Sequence, residues 1–170
     1  MRLIVLTLQL IFMKLLFICT HNRCRSILAE AITRHKADGK IIAASAGSSP
    51  QGEVHPLSLR YLSEHDVSVD GLKSQSWDEF EQFNPDAVLT LCDSAACETC
   101  PVWFDDLVQV HWGLVDPSKQ CDDEAVQKRQ FSNTIDIIQR RIDALMEHDI
   151  ESLKGRDLTN VLEQIATQIH

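Results

Sequence analysis

The segment Cys19-Thr20-His21-Asn22-Arg23-Cys24-Arg25-Ser26 places two thiols, two guanidinium groups and two hydroxyls within one short stretch. It follows a compact apolar run, Lys14–Ile18. It leads into a stretch with apolar Ile27, Leu28, Ala31 and Ile32 on one helical face. A loop between the end of a buried strand and the start of a helix aims several backbone N–H groups at one point. The helix terminus adds about half a unit of positive charge there. That arrangement suits a tetrahedral oxyanion, and Arg25 can fold back to offer it a two-pronged guanidinium fork. The expected cradle is Arg25 with the backbone of Thr20, His21, Asn22, Arg23, Cys24 and Ser26. Asn22 is a residue type that tolerates the positive φ of a tight loop. The same field is expected to make Cys19 a thiolate at neutral pH, with Ser26 donating its hydroxyl to the sulfur.

A loop of this kind works only if strand and helix hold it. The chain has 170 residues, 44% of them hydrophobic and 24% charged, which describes one ordinary globular domain. The 25 acidic residues outnumber the 16 Lys and Arg and leave a net charge of −9. This excess argues against nucleic acid or an anionic membrane as a partner, since both select basic surfaces. A site for a small anion must therefore be local.

Residues 3–18 are almost wholly apolar, but Lys14 interrupts the run and no small-x-small cleavage site follows it. Lys14–Ile18 is also the strand that carries the loop. The expectation is a domain over residues 13–170 starting at Met13. Residues 1–12 are then an N-terminal extension, a membrane anchor or cleaved signal being the weaker readings. The location expected is the cytoplasm, where six cysteines stay reduced.

Further strands are expected at Lys40–Ala44, Asp86–Leu91 and Leu107–Trp112, and helices at Arg25–Lys36, Pro56–Glu64 and Ser76–Gln82. A long helix over Asp123–Glu147 carries the stripe Phe131, Ile135, Ile138, Ile142 and Leu145, and a last helix spans Arg156–Gln168. Strands alternating with helices give an α/β layer fold with a mainly parallel sheet.

CTHNRCRS after an N-terminal strand resembles the phosphate loop of the low-molecular-weight protein tyrosine phosphatase superfamily, which includes thiol-dependent arsenate reductases. Further matches are SAGS at Ser45–Ser48, TLC at Thr90–Cys92, Cys100-Pro101 and HWGLVDP at His111–Pro117. The resemblance implies a three-layer fold around a four-stranded parallel sheet of order 2-1-3-4. It implies Cys19 as nucleophile and Asp116, stiffened by Pro117, as the acid. It also implies a second thiol that attacks the Cys19 adduct. Cys92 and Cys100 match the two shuttle positions of the thioredoxin-coupled reductases, although their spacing is one residue longer and Cys97 is extra. Cys97 and Cys100 form a Cys-x2-Cys pair that can carry the disulfide instead. The CDSAA and CPVW surroundings look more like the glutaredoxin/glutathione-dependent branch.

In the phosphatases tyrosines follow Asp-Pro; here Ser118 follows, and Tyr61 is the chain's one tyrosine. The activity expected is therefore arsenate reduction with glutaredoxin/glutathione or thioredoxin as donor. A low-molecular-weight phosphatase is the alternative, and an arsenite- or zinc-binding thiol protein a second one. Zinc at Cys92, Cys97, Cys100 and Cys121 fits structural spacing only fairly, and no metal or tightly bound cofactor is expected. The resemblance also implies a potassium site at Asn22, Glu30 and Ser45, with a plain hydrogen-bond network as the alternative. Cys24 is either a disulfide partner for Cys19 under oxidation or a packing residue, and Cys121 is a bystander.

Overall fold

The computed structural model describes residues 12–170; the expectation for the N-terminal extension falls almost entirely outside it. Four strands, β1 (Met13–Ile18), β2 (Ile41–Ala46), β3 (Ala87–Thr90) and β4 (Val108–His111), form one sheet in the order β2-β1-β3-β4. All three pairings are parallel, and the register aligns Ile18 with Ala46 and Thr90, and Thr90 with His111. The C-terminal ends of the strands therefore open onto one edge, where ligands bind in open parallel sheets.

Side chains of a strand alternate between faces, and β1 shows the consequence. Leu15 and Phe17 enter a large core with Ile27, Leu28, Tyr61, Phe131 and Leu158. That face is covered by α1 (Arg25–Lys36), α2 (Pro56–Glu64), α4 (Glu124–Met146) and α5 (Gly155–Gln168). Leu16 and Ile18 enter a smaller core with Trp77, Val88 and Phe104. That second face is covered only by the short α3 (Asp93–Cys97) and by 3-10 turns at Trp77–Phe83 and Val102–Phe104. Both faces of a parallel sheet must be covered, which is why its strands read as continuous apolar runs.

Three expectations are corrected here. The helix at Ser76–Gln82 is a 3-10 turn, although Ser76 does cap it by accepting the Asp78 N–H at 3.2 Å. The second strand runs on to Ala46 rather than ending at Ala44, because Ser45 and Ala46 keep the parallel pairing with Phe17 and Ile18. A helix follows Cys92 where the sequence pattern shows none: five residues are too few to display a helical period.

Candidate active site

The loop Cys19–Cys24 joins β1 to α1 and is tied down from outside by its carbonyl groups. The Thr20 carbonyl accepts the Ser49 N–H at 2.9 Å, the His21 carbonyl the Gln51 N–H at 3.2 Å, and the Arg23 carbonyl the His55 N–H at 3.0 Å. With the carbonyls turned outward, the N–H groups of His21–Arg25 have no protein acceptor among the described residues. They are the unpaired donors that an anion satisfies at a helix N-terminus. Asn22 holds the turn with φ 45°, as its type allowed. Its buried side chain donates to Ser26 Oγ at 2.8 Å and Ser45 Oγ at 2.9 Å and accepts the Gln75 N–H at 2.8 Å. Gly47 lies against the back of the loop, where a Cβ would stand 2.5 Å from the Thr20 carbonyl oxygen and 2.7 Å from that of Cys19.

Cys19, Thr20, His21, Arg23, Cys24 and Arg25 line a cavity of about 160 Å³ with Asp116 and Ser118. Arg25 reaches across it, donating to the Leu114 carbonyl at 3.0 Å and pairing with Asp116 at 3.5 Å. Its Nε is buried without a partner among the described residues, a donor left for a ligand. Asp116 accepts both the Ser118 N–H at 2.9 Å and the Ser118 hydroxyl at 2.6 Å. Burial pushes its carboxyl up, but the Ser118 bonds and the charges of Arg25 and Lys119 outweigh this and hold it below the usual carboxylate range. Asp116 is thus ionised at neutral pH before any ligand arrives.

Cys19 and Cys92 are both about 95% buried and share the smaller core. Their thiols titrate as a pair, so the charge expected on Cys19 is shared with Cys92. The bond to Cys92 and burial push the Cys19 thiol up, against the opposing pull of Arg25. Cys92 is held low, chiefly by the Cys19 S–H, then by the Ala95 N–H at 3.3 Å and by Thr20. Two adjacent thiols cannot both ionise cheaply, so the pair carries a single thiolate, drawn toward Cys92. The bond expected from the Ser26 hydroxyl to Cys19 comes instead from the Ser26 backbone N–H.

Cys92 is the N-cap of α3 and also lines the wider, polar mouth of the site with Arg25, Asp93, Ser94 and Lys119. Cys100 does not join it: its Sγ donates to the Glu98 carbonyl at 3.7 Å, and it lines a separate cavity with Ala95, Ala96 and His111. The side chain of Cys97 lies outside the described structure. Cys24 is buried, its thiol pushed up to about 12 by burial.

The residues implied for potassium sit in a different company. The Glu30 carboxylate accepts the Ser45 hydroxyl and pairs with Arg34, so the cation beside it is a guanidinium. Burial raises the Glu30 carboxyl despite these partners.

Sequence reasoning missed Arg141. Its buried guanidinium donates to the Trp112 carbonyl at 2.8 Å and twice to the Ile169 carbonyl, and it lies 5.6 Å from the Trp112 ring. It pins the start of the 112–116 loop that carries Asp116. A charged residue at a core-facing helix position was the available signal.

Residues 14–157 match the family described as low molecular weight phosphotyrosine protein phosphatase. The chain is 30% identical over 131 residues to an arsenate reductase of Halalkalibacterium halodurans, covering 77% of this chain and 93% of that one. It is 30% identical over 107 residues to a glutaredoxin arsenate reductase of Synechocystis sp., covering 63% and 80%. A solved arsenate reductase in the phosphate binding state superposes with a TM-score of 0.65 at 26% identity, over 80% of this chain and 98% of that one. No described helix is long and apolar enough to cross a membrane. With its strand order, phosphate-type loop and Asp-Pro segment in place, the chain belongs to the low molecular weight phosphotyrosine protein phosphatase family.

Proposed function

We propose that this chain is an arsenate reductase working in the cytoplasm with a thiol donor, glutaredoxin/glutathione or thioredoxin. The observation that carries the reading is the second thiol, Cys92, buried with Cys19 in the smaller core and 3.6 Å from Thr20 Oγ1 of the anion loop. A phosphatase has no use for a sulfur there. A reductase needs one, because arsenic must receive two electrons from thiols. Ser118, turned into Asp116, also leaves no aromatic wall for a phosphotyrosine ring.

The loop N–H groups and Arg25 bind the arsenate dianion. The Cys19 sulfur attacks arsenic; a sulfur–arsenic bond forms, and an arsenic–oxygen bond breaks. The Cys19 proton leaves with the departing hydroxide as water. Asp116 handles that proton: the incoming dianion draws Arg25 away from it and makes a carboxyl there easier to protonate. Cys92 then attacks the Cys19 sulfur. A disulfide forms, the sulfur–arsenic bond breaks with its electron pair left on arsenic, and arsenite departs. The donor reduces the disulfide, either directly or after Cys100 attacks Cys92 and frees Cys19. That second route requires α3 to unwind, since Cys100 faces a different cavity. Cys97 is the substitute thiol in this reading. Residues 13–170 are the working unit in this reading. A potassium ion at Asn22, Glu30 and Ser45 would have to displace Arg34 from Glu30.

The test is steady-state arsenite formation with each donor system, beside hydrolysis of p-nitrophenyl phosphate. Arsenite is expected with at least one donor, and none from Cys19→Ser or from Cys92→Ser, since arsenite leaves only when Cys92 attacks. Efficient phosphate ester hydrolysis without arsenite under either donor would overturn the reading.

A further inference from the structure

Thr20 sits between two groups that both want its single hydroxyl hydrogen. Its Oγ1 lies 3.0 Å from Glu98 Oε1 and 3.6 Å from Cys92 Sγ. Glu98 follows directly on α3, and its second oxygen, Oε2, is buried with no partner among the described residues. A carboxylate turned inward like this, beside a site for anions, is a cost the fold bears with no evident packing return.

A hydroxyl has one hydrogen to donate and lone pairs to accept with. If Glu98 is ionised, Thr20 donates to it and accepts the S–H of Cys92. If Cys92 is a thiolate, Thr20 donates to the sulfur and accepts a hydrogen from a protonated Glu98. The three atoms thus form a wire that holds one proton at either end, and the contacts fit both states.

We infer that Glu98, acting through Thr20, receives the proton of Cys92 as that thiol attacks the Cys19–arsenic adduct. The inference rests on the proposed reading of Cys92 as the resolving thiol. It answers a problem that reading creates. In the resting site Cys92 is supported as a thiolate chiefly by the Cys19 S–H. The first step consumes that S–H and places an anionic arsenic group next to Cys92, so the thiol takes up a proton from water at the mouth and must lose it again as it attacks. As the new disulfide forms, the Cys92 proton passes to Thr20 Oγ1 and the Thr20 hydrogen to Glu98 Oε1. The sulfur–arsenic electron pair goes to arsenic, so charge and protons balance within this step. Glu98 touches no reacting atom; it acts only through the hydroxyl.

Other ionisable groups near Cys92 are Cys19 from the anion loop, and Arg25, Asp93, Asp116 and Lys119 around the mouth. Cys100 and Asp105 lie beyond Glu98. None of these bonds to Thr20 Oγ1 among the described residues.

The experiment is a single-turnover measurement of Cys19–Cys92 disulfide formation after arsenate addition, from pH 6 to 9, in the full chain and in Glu98→Gln. The amide of that variant keeps the shape and a hydrogen bond to Thr20 but cannot accept a proton. The wild-type rate is expected to be nearly flat with pH. The E98Q rate is expected to fall by about tenfold or more at pH 6 and to recover toward pH 9, where hydroxide removes the proton. Thr20→Val should acquire the same slope, and Thr20→Ser should restore the flat profile. In parallel, iodoacetamide labelling of Cys92, read by peptide mass in the resting protein, should shift to lower pH in E98Q, because a negative charge linked to the sulfur has gone.

An E98Q rate that is unchanged, or lowered equally at every pH, overturns the inference. If the wild type forms no disulfide with arsenate, the proposed function fails. The assigned step falls with it, while the labelling arm still reports whether Glu98 is wired to Cys92: an unshifted profile there shows that it is not.

Discussion

Gly47→Ala tests how tightly the anion loop is held, with a size that follows from the packing behind it. Gly47 bonds on both sides, its N–H to the Gln75 carbonyl at 2.9 Å and its carbonyl accepting the Trp77 N–H at 3.0 Å, so its backbone cannot easily retreat. Its φ lies outside the left-handed region, so alanine brings no dihedral strain and the effect is purely one of contact. The new Cβ would stand 2.5 Å from the Thr20 carbonyl oxygen, 2.7 Å from the Cys19 carbonyl oxygen and 3.0 Å from the Asn22 nitrogen. All three neighbours are backbone of the anion loop. To bring the closest contact out to the shortest tolerable 3.0 Å, the Thr20 carbonyl must move by 0.5 Å. Because that carbonyl shares a peptide plane with the His21 N–H, the displacement passes directly to the cradle. A misplacement of about 1 Å costs about a hundredfold in rate, so half of that predicts a loss of about tenfold in kcat/KM. Crowding a packed position also costs about 1–3 kcal/mol of stability. The assay is kcat/KM for arsenate, inhibition by phosphate as a measure of ground-state anion binding, and urea unfolding. Wild-type kcat/KM and phosphate affinity in G47A, with unfolding unchanged, would refute the claim that this contact fixes the loop.

Mapped alkylation at pH 7 should modify Cys92 before Cys19 and leave Cys24 among the slowest, since the shared proton favours the thiolate at Cys92 and burial holds Cys24 at about 12; faster modification of Cys19 than of Cys92 would contradict the assignment of that proton. Asp116→Asn should lower kcat by about a hundredfold or more. Its stability effect depends on pH with a fixed sign: the carboxyl is lowered in the fold, so its contribution is present above about pH 3.9 and is lost as pH falls through the folded value. The wild-type advantage over D116N in urea unfolding should therefore shrink below about pH 4, and an advantage that grows there would refute the sign. Arg141→Met should cost about 2–4 kcal/mol by leaving the Trp112 and Ile169 carbonyls without their charged donor, with kcat falling as the Asp116 loop loosens; urea unfolding of R141M at wild-type stability would dismiss the pin.

What sequence reasoning recovered, and what it did not, divides along a physical line. The apolar runs of β1 to β4 and the stripe of α4 are long periodic signals, and they located every strand to within two residues. The strand order came with the family resemblance, since periodicity carries no pairing information. The turn at Trp77–Phe83 was read as a helix, and α3 and the Val102–Phe104 turn escaped, because a segment of three to seven residues has no period to read. Yet these short pieces cover the second sheet face and carry Cys92, Glu98 and Cys100. The long helices that were legible mostly build the larger core, away from the chemistry.

The protonation of the site escapes a sequence reading for a related reason. A strand, a tight loop and a helix N-terminus are local, so the field they place on Cys19 can be argued from eight consecutive residues. Cys92 lies 73 positions further along, and only the parallel register brings it against Cys19. Its effect runs opposite to the local one: the loop alone favours a thiolate at Cys19, whereas a second buried thiol beside it draws the charge toward itself and raises Cys19. This has a chemical consequence beyond the correction. A nucleophile kept as a thiol is less exposed to oxidation than a free thiolate. It is also repelled less by an approaching dianion, and its proton is the one the departing hydroxide requires. The pair that looked like a nucleophile and a later partner is a single unit before the first bond forms, so removing Cys92 should alter the pH dependence of the first step as well as block the second.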